Sequence, residues 1–183
     1  MKKNLIPIIL ISALTIGGCC SKTSSVTTGE KAGKESTGVT YNVLTDQEKA
    51  EGWQLLFDGK IWDKWHGFNN EDVTGGWTVQ DDCLMSLGHG GDIGGDLVTN
   101  REFGNFELTL GWKISPGGNS GVLYGVIEDP KYKAVYYTGP EYQLLDDVGF
   151  PQKVEEWQLT GADYGMHLAD KTKKKLQISA DNY

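Results

Sequence analysis

The side chains able to move protons or hold hydroxyl groups concentrate between Gly104 and Asp147. In Gly139-Pro-Glu-Tyr-Gln-Leu-Leu-Asp-Asp147, strand alternation puts Glu141 and Gln143 on one face and Tyr142 and Leu144 on the other. A carboxylate beside an amide on a sheet face suits a base with a hydrogen-bonding neighbour. Two ordinary solvated residues fit the same pattern, and alternation leaves both readings open. Asn119, Ser120 and Tyr124 follow the Pro116-Gly-Gly turn and can donate hydrogen bonds. Asp146 is available to orient a histidine or to bind a hydroxyl. His167 closes the Gly-rich segment Gly161-Ala-Asp-Tyr-Gly-Met-His167, where it reads equally as structural or as an acid–base group. Trp62 and Trp65 are available to a core or to a cleft.

The elements that must position these groups are strands. Phe106, Leu108, Leu110, Trp112 and Ile114 recur at period two, which predicts one half-buried strand over 106–114. A second strand is expected over 120–127 and a third over the Glu141 segment. Trp53-Gln-Leu-Leu-Phe57 is expected to open the sheet, 75–85 to form a hairpin around Asp81-Asp82, and 97–99 to form a short strand. Thr45-Asp-Gln-Glu48 reads as a capping box and Gly52 as a helix stop, giving a short helix over 46–51. Short strands separated by turn residues, with 25 Gly, 6 Trp and 8 Tyr, predict an all-β sandwich or jelly roll.

The 183 residues carry 38% hydrophobic and 23% charged side chains, which suits one globular domain with a real core. The net charge of −8 excludes a basic face for nucleic acid. Lys171-Thr-Lys-Lys-Lys175 reads as a solvated loop. Cys83 lies in an apolar run with no cationic neighbour to activate it and reads as a small core hydrophobe. The Gly-rich stretch 87–95 carries His89 and Asp92, but no helix follows it, so a phosphate-binding loop is excluded. His89, Asp92 and His167 lack tight ligand spacing, so neither a metal nor a cofactor is expected.

Met1-Lys2-Lys3 followed by the apolar run Leu5–Ile16 fits a signal peptide and is too short to span a membrane. Leu14-Thr-Ile-Gly-Gly-Cys19 resembles a bacterial lipobox, which makes Cys19 the expected lipidation site; an ordinary cleaved leader is the alternative. Residues 1–19 are thus expected as a lipoprotein signal peptide, 20–45 as a flexible tether, and 46–183 as the folded domain. Lipidation at Cys19 would give a membrane partner and a periplasmic or outer-membrane location.

Five stretches, in order, resemble the 3-keto-disaccharide hydrolase family: Gly52-Trp-Gln-Leu-Leu-Phe-Asp-Gly59, Phe103-Gly-Asn-Phe-Glu-Leu108, Pro116-Gly-Gly-Asn-Ser-Gly121, Gly139-Pro-Glu-Tyr-Gln-Leu-Leu-Asp-Asp147 and Thr160-Gly-Ala-Asp-Tyr164. The resemblance implies a concanavalin-like jelly roll, action on glycosides oxidised at C3, and a bacterial lipoprotein setting. Two departures stand out. Gly111 replaces the acidic residue that usually precedes the strand tryptophan, and the family's domain continues for several more strands, so this jelly roll is expected to lack its last strands.

A keto group at C3 acidifies the C2 proton, and the resulting enolate can expel the C1 aglycone before water adds back. That chemistry needs a base at C2, donors for the enolate oxygen and an acid for the leaving oxygen. Glu141 is expected as base and His167 as acid, with Asp146 orienting it. Asn119, Ser120, Tyr124 and Gln143 are expected to bind substrate oxygens, and Trp62 or Trp65 to stack on a sugar. Two other functions remain in view. A non-catalytic carbohydrate-binding module would lack a carboxylate with a raised pKa in a cleft. A laminarinase-like glycosidase would place two carboxylates on one strand, for which Glu141 and Asp146 offer a partial match.

Overall fold

The structure, a computed structural model, describes residues 4–7, 11–13, 41–71, 75–87 and 95–173. Its one α-helix among the described residues, α1 (Asp46–Glu51), is fixed at both ends as the sequence predicts. The Thr45 hydroxyl accepts the Glu48 N–H at 3.2 Å, and the Glu48 carboxylate accepts the Thr45 N–H at 2.7 Å. Gly52 then stops the helix in the left-handed region at φ 88°, where a side chain would be strained. Packing begins before the helix. Asn42 is buried and its amide donates to the Asp82 carbonyl at 2.6 Å, so the expected tether is already docked at that point.

Everything else is strand and turn. The strands are β1 (Asn4–Pro7), β2 (Ile11–Ala13), β3 (Trp65–Gly67), β4 (Trp77–Gln80), β5 (Cys83–Ser86), β6 (Leu97–Thr99), β7 (Phe106–Thr109), β8 (Trp112–Ile114), β9 (Asn119–Leu123) and β10 (Glu141–Leu145). They pair as β4-β5-β2-β8, β3-β6, β1-β7 and β9-β10. The β4–β5 hairpin turns at Asp81 and Asp82, both at positive φ, the geometry that matches a two-residue turn to the twist of its strands. The hairpin puts Leu84 and Met85 inside, while the Cys83 thiol donates to the Asp81 carbonyl.

Leu56, Phe57, Trp65 and Leu84 form the core, with Trp62, Leu97, Phe103, Leu108 and Leu110 packed around them. Each fully buried Leu or Phe there contributes about 1.5–3 kcal/mol of transfer free energy. Residues 53–57 are not a strand as expected. They run as an irregular segment whose Leu56 and Phe57 are core anchors, so apolarity there served burial and not pairing. The expected strand over 106–114 divides at Leu110-Gly111, because β7 pairs with β1 and β8 with β2; glycine in a strand interior has no side chain to hold it in register. The strand expected over 120–127 ends at Leu123, and residues 155–160 carry a 3-10 turn, Glu156–Gln158. β1 and β2 fall in the segment expected to be the apolar core of the leader, and here their backbones take parallel strand positions against β5, β7 and β8.

β9 and β10 pair antiparallel from Asn119↔Leu145 to Leu123↔Glu141. The chain from 160 to 164 covers the other edge of β10: the Gln143 N–H donates to the Ala162 carbonyl, the Gly161 N–H to the Gln143 carbonyl, and the Tyr164 N–H to the Glu141 carbonyl, all at 2.8–2.9 Å. A strand bonded along both edges is a rigid support for a reacting side chain.

Candidate active site

Glu141 is the first residue of β10 and is half-buried. Its carboxyl lies across β9 over Gly121, where an added Cβ would overlap the carboxylate. Glycine at this position is therefore what allows the side chain to lie there. The carboxyl faces a cleft of about 930 Å³ lined by Asp96, Asn119, Ser120, Trp65, His66 and Glu128, among others. It also lines a second, more open hollow with Gln143, Tyr137, Tyr164 and Met166. Asn119, Tyr136 and Glu141 belong to both, so Glu141 stands at the seam between them.

Burial pushes the Glu141 carboxyl above the ordinary carboxylate range, and the Asp96 carboxylate adds repulsion in the same direction. Asp96 is itself raised by burial, offset in part by the Val135 N–H that it accepts. Two neighbouring carboxyls at one cleft titrate together, since the first proton lost raises the cost of losing the second. Asp96 directly precedes β6, and its carbonyl accepts the Phe68 N–H at 2.8 Å.

His66, on β3, forms part of the opposite wall. Its Nε2 lies 2.8 Å from Glu128 Oε2 and its Nδ1 2.8 Å from Asn100 Oδ1. Asn100 Nδ2 donates to the Asp63 carbonyl at 2.8 Å, which fixes the amide so that its oxygen faces the ring. Both ring nitrogens therefore face acceptors, and the doubly protonated imidazolium satisfies both. Burial opposes that charge, but the hydrogen bonds from Glu128 and Asn100 and the charges of Glu128 and Glu71 prevail, so the His66 pKa lies above its ordinary value. The other Glu128 oxygen accepts the Asn69 N–H at 2.8 Å.

The structure gathers Glu141, Asn119 and Trp65 at the main cleft; Ser120 and Tyr124 line it too, but strand alternation directs their side chains to the face opposite Glu141, where the Tyr124 phenol meets Asp163. Trp65 also spends its indole N–H on the Leu56 carbonyl at 2.9 Å and packs into the core, while Trp62 packs against that core and is not part of the cleft lining. Gln143 is buried, lines the second hollow, and its side-chain oxygen accepts the Leu144 N–H at 3.2 Å. His167 lines neither hollow; its Nδ1 lies 3.1 Å from Asp163. Asp163 pairs with Tyr142 across the strand edge, which by alternation is the face away from Glu141. Asp146 does not orient His167, because it accepts the N–H groups of Gly117, Val148 and Gly149 at 2.8–3.2 Å and holds two turns together. Asp96, His66, Glu128, Asn100 and Trp77 line the same cleft and were not singled out in the sequence. His66 alternates with core Trp65 on β3, the one local sign of its placement; its partners lie 34 and 62 residues away. Cys19, His89 and Asp92 lie outside the described residues. Among the described residues, no three His, Cys, Asp or Glu side chains converge as a metal site would require.

Comparisons with known proteins place this all-β scaffold and its half-buried carboxylate in a class. Residues 52–182 match the family model of the 3-keto-alpha-glucoside-1,2-lyase-like domain, and the chain belongs to that family. It is 37% identical, over 115 residues, to a 3-keto-disaccharide hydrolase of Bacteroides thetaiotaomicron, an alignment covering 56% of this chain and 40% of that protein. It is also similar to a crystal structure from Parabacteroides distasonis ATCC 8503 whose assignment as a glycosyl hydrolase is provisional, at 40% identity and a TM-score of 0.63, covering 74% of this chain and 63% of that one. The chain thus spans less than two thirds of the length of either relative. The fold is the all-β jelly roll expected from the sequence.

Proposed function

We propose that this chain cleaves glycosidic bonds of 3-keto sugars by elimination followed by hydration. The observation that carries this reading is Glu141, a half-buried carboxylate with a raised pKa at the junction of two hollows. A general base works best with a pKa near the operating pH, and burial beside Asp96 moves Glu141 toward it. In the forward step the Glu141 carboxylate takes the C2 proton, the C1–O bond breaks, and the protonated Glu141 returns that proton to the departing oxygen, while the charge of Asp96 keeps the Glu141 pKa raised. The product is an enone with a C1–C2 double bond. Water then adds its hydroxyl to C1 and its proton to C2, giving the free 3-keto sugar. Asn119 shares the strand face of Glu141 and is available to bind substrate oxygens, and the raised pKa of His66 favours a positive charge at the cleft that would stabilise the enolate.

Family membership supports a glycoside-directed role, and the 3-keto requirement is tested by comparing p-nitrophenyl 3-keto-glucoside with plain p-nitrophenyl glucoside on the full chain. Release from the keto sugar alone is expected, and Glu141→Gln should lower kcat by about 10²–10⁴-fold. Release from the plain glucoside at a similar rate would overturn the elimination route in favour of ordinary glycoside hydrolysis. In the pH profile, kcat/KM should rise through the raised Glu141 pKa and fall again as His66 loses its proton.

We further propose that the protein works from a lipid anchor at Cys19, in the periplasm or on the outer membrane. The lipobox-like Leu14–Cys19 motif motivates this. Radiolabelled palmitate should enter the wild-type chain in cells and be absent from Cys19→Ser; equal labelling of both would reject the anchor.

A further inference from the structure

The second hollow differs from the main cleft in what it leaves out: apart from the shared Glu141, no carboxylate, histidine or basic side chain lines it. Its volume is about 680 Å³, and Tyr136, Tyr137, Tyr164 and Met166 contribute to its lining. Tyr136, Tyr137 and Met166 are each more than 60% exposed, an unusual cost for aromatic and thioether groups unless something covers them. The Tyr136 and Tyr137 rings lie 4.6 Å apart and tilted, and Tyr164 is braced edge-on by Trp157 at 5.1 Å. The polar groups are largely committed. The Thr138 hydroxyl donates to the Val135 carbonyl and accepts the Ile127 N–H, and the Gln143 side-chain oxygen accepts the Leu144 N–H. The main cleft, in contrast, adds Asp96, His66 and Glu128 to the shared Glu141, alongside aromatic groups of its own.

The bond that breaks must lie at Glu141, and Glu141 is on the seam. One hollow therefore holds what lies on the sugar side of that bond and the other what leaves. We infer that the charged cleft takes the oxidised sugar and that the tyrosine-lined hollow is the aglycone subsite, recognising a flat apolar face. Such a face is presented by an aryl ring or by the C–H side of a second sugar ring, and exposed tyrosines stack on either at low conformational cost. This assignment rests on the proposed reaction for its polarity, while the binding preference of the hollow stands on its own.

The experiment compares methyl, phenyl and disaccharide 3-keto-glucosides on wild type and Tyr137→Ala, a change at an exposed ring lining only the second hollow. Leaving groups differ in intrinsic reactivity, so the readout is the change in each kcat/KM relative to the change for the methyl compound. A stacking contact is worth about 0.5–1.5 kcal/mol, so the phenyl-to-methyl preference should fall by about 3–10-fold in the variant. A fall confined to the phenyl compound identifies an aryl site; a fall confined to the disaccharide identifies a sugar site. Equal changes for all three substrates, or none, would overturn the assignment. Binding of unoxidised phenyl and methyl glucosides, followed by ligand-observed NMR, reads the same preference without turnover. If wild type cleaves no 3-keto sugar yet the phenyl preference is present and lost in Tyr137→Ala, the reaction fails and the subsite stands.

Discussion

Glu141 opens β10 and Asp146 follows directly on its last residue, yet the two carboxylates are held in opposite states. At Glu141 burial and the charge of Asp96 both disfavour ionisation, and the pKa rises. At Asp146 burial pushes the same way, but three backbone N–H groups, from Gly117, Gly149 and Val148, outweigh it, and the pKa falls. Two differences separate these outcomes: Glu141 is much more deeply buried, and only Asp146 is supplied with donors. Around Glu141, neighbouring backbone N–H groups are committed to strand pairing, as that of Tyr164 is to the Glu141 carbonyl. The turns around Asp146 present N–H groups with no strand to bind. The sheet face thus leaves Glu141 short of donors, whereas the turns saturate Asp146 and make it structural.

The largest expected effect that breaks this contrast comes from Gly121→Ala. An added methyl would occupy the space the Glu141 carboxyl now fills and would force it off its position. A displacement of about 1 Å at a reacting group costs on the order of 10²-fold in rate. We expect kcat on p-nitrophenyl 3-keto-glucoside to fall by about that factor with the melting temperature little changed. Full activity in a folded Gly121→Ala protein would show that the carboxyl reacts from elsewhere.

Asp96→Asn sharpens the contrast by a smaller amount. It removes the like charge that helps raise Glu141 while leaving Glu141 buried. The acid limb of kcat/KM should move to lower pH and stop short of the ordinary carboxylate value, because the burial contribution remains. An unmoved limb would mean that burial alone sets the Glu141 pKa, or that another group controls the limb.

Much of this arrangement can be read from local sequence. The capping box at Thr45–Glu48, the Asp81-Asp82 hairpin and the placement of Glu141 on a strand are each set within a few residues, and each is found where expected. What pattern does not carry is partnership across long loops. His66 holds its proton more tightly because of residues at 100 and 128, and Asp96 matters because folding brings it to Glu141. His167 attracted the acid role through its Gly-rich turn, but strand alternation turns its partner Asp163 away from the cleft. Gly111 was visible, yet the division of the 106–114 strand depends on which strands pair beside it.

The smallest effect is expected at Asp146, and it should appear in stability rather than in the acid limb. Asp146→Asn keeps the side-chain shape but gives up the charge that three N–H groups bind. Hydrogen bonds to a charged acceptor contribute about 1.5–3 kcal/mol, and partial exposure to solvent places the loss toward the lower end. The sign follows from the lowered folded-state pKa. The wild-type contribution is complete above the unfolded value of 3.8 and is lost as pH falls through the folded one. The gap in unfolding free energy between wild type and variant should therefore be widest at neutral pH and should close below about pH 3.8. The acid limb of kcat/KM should not move, because Asp146 lines neither hollow. A limb that shifts as far in Asp146→Asn as in Asp96→Asn would mean that the strand transmits charge between its ends, and the separation into reactive and structural carboxylates would fail.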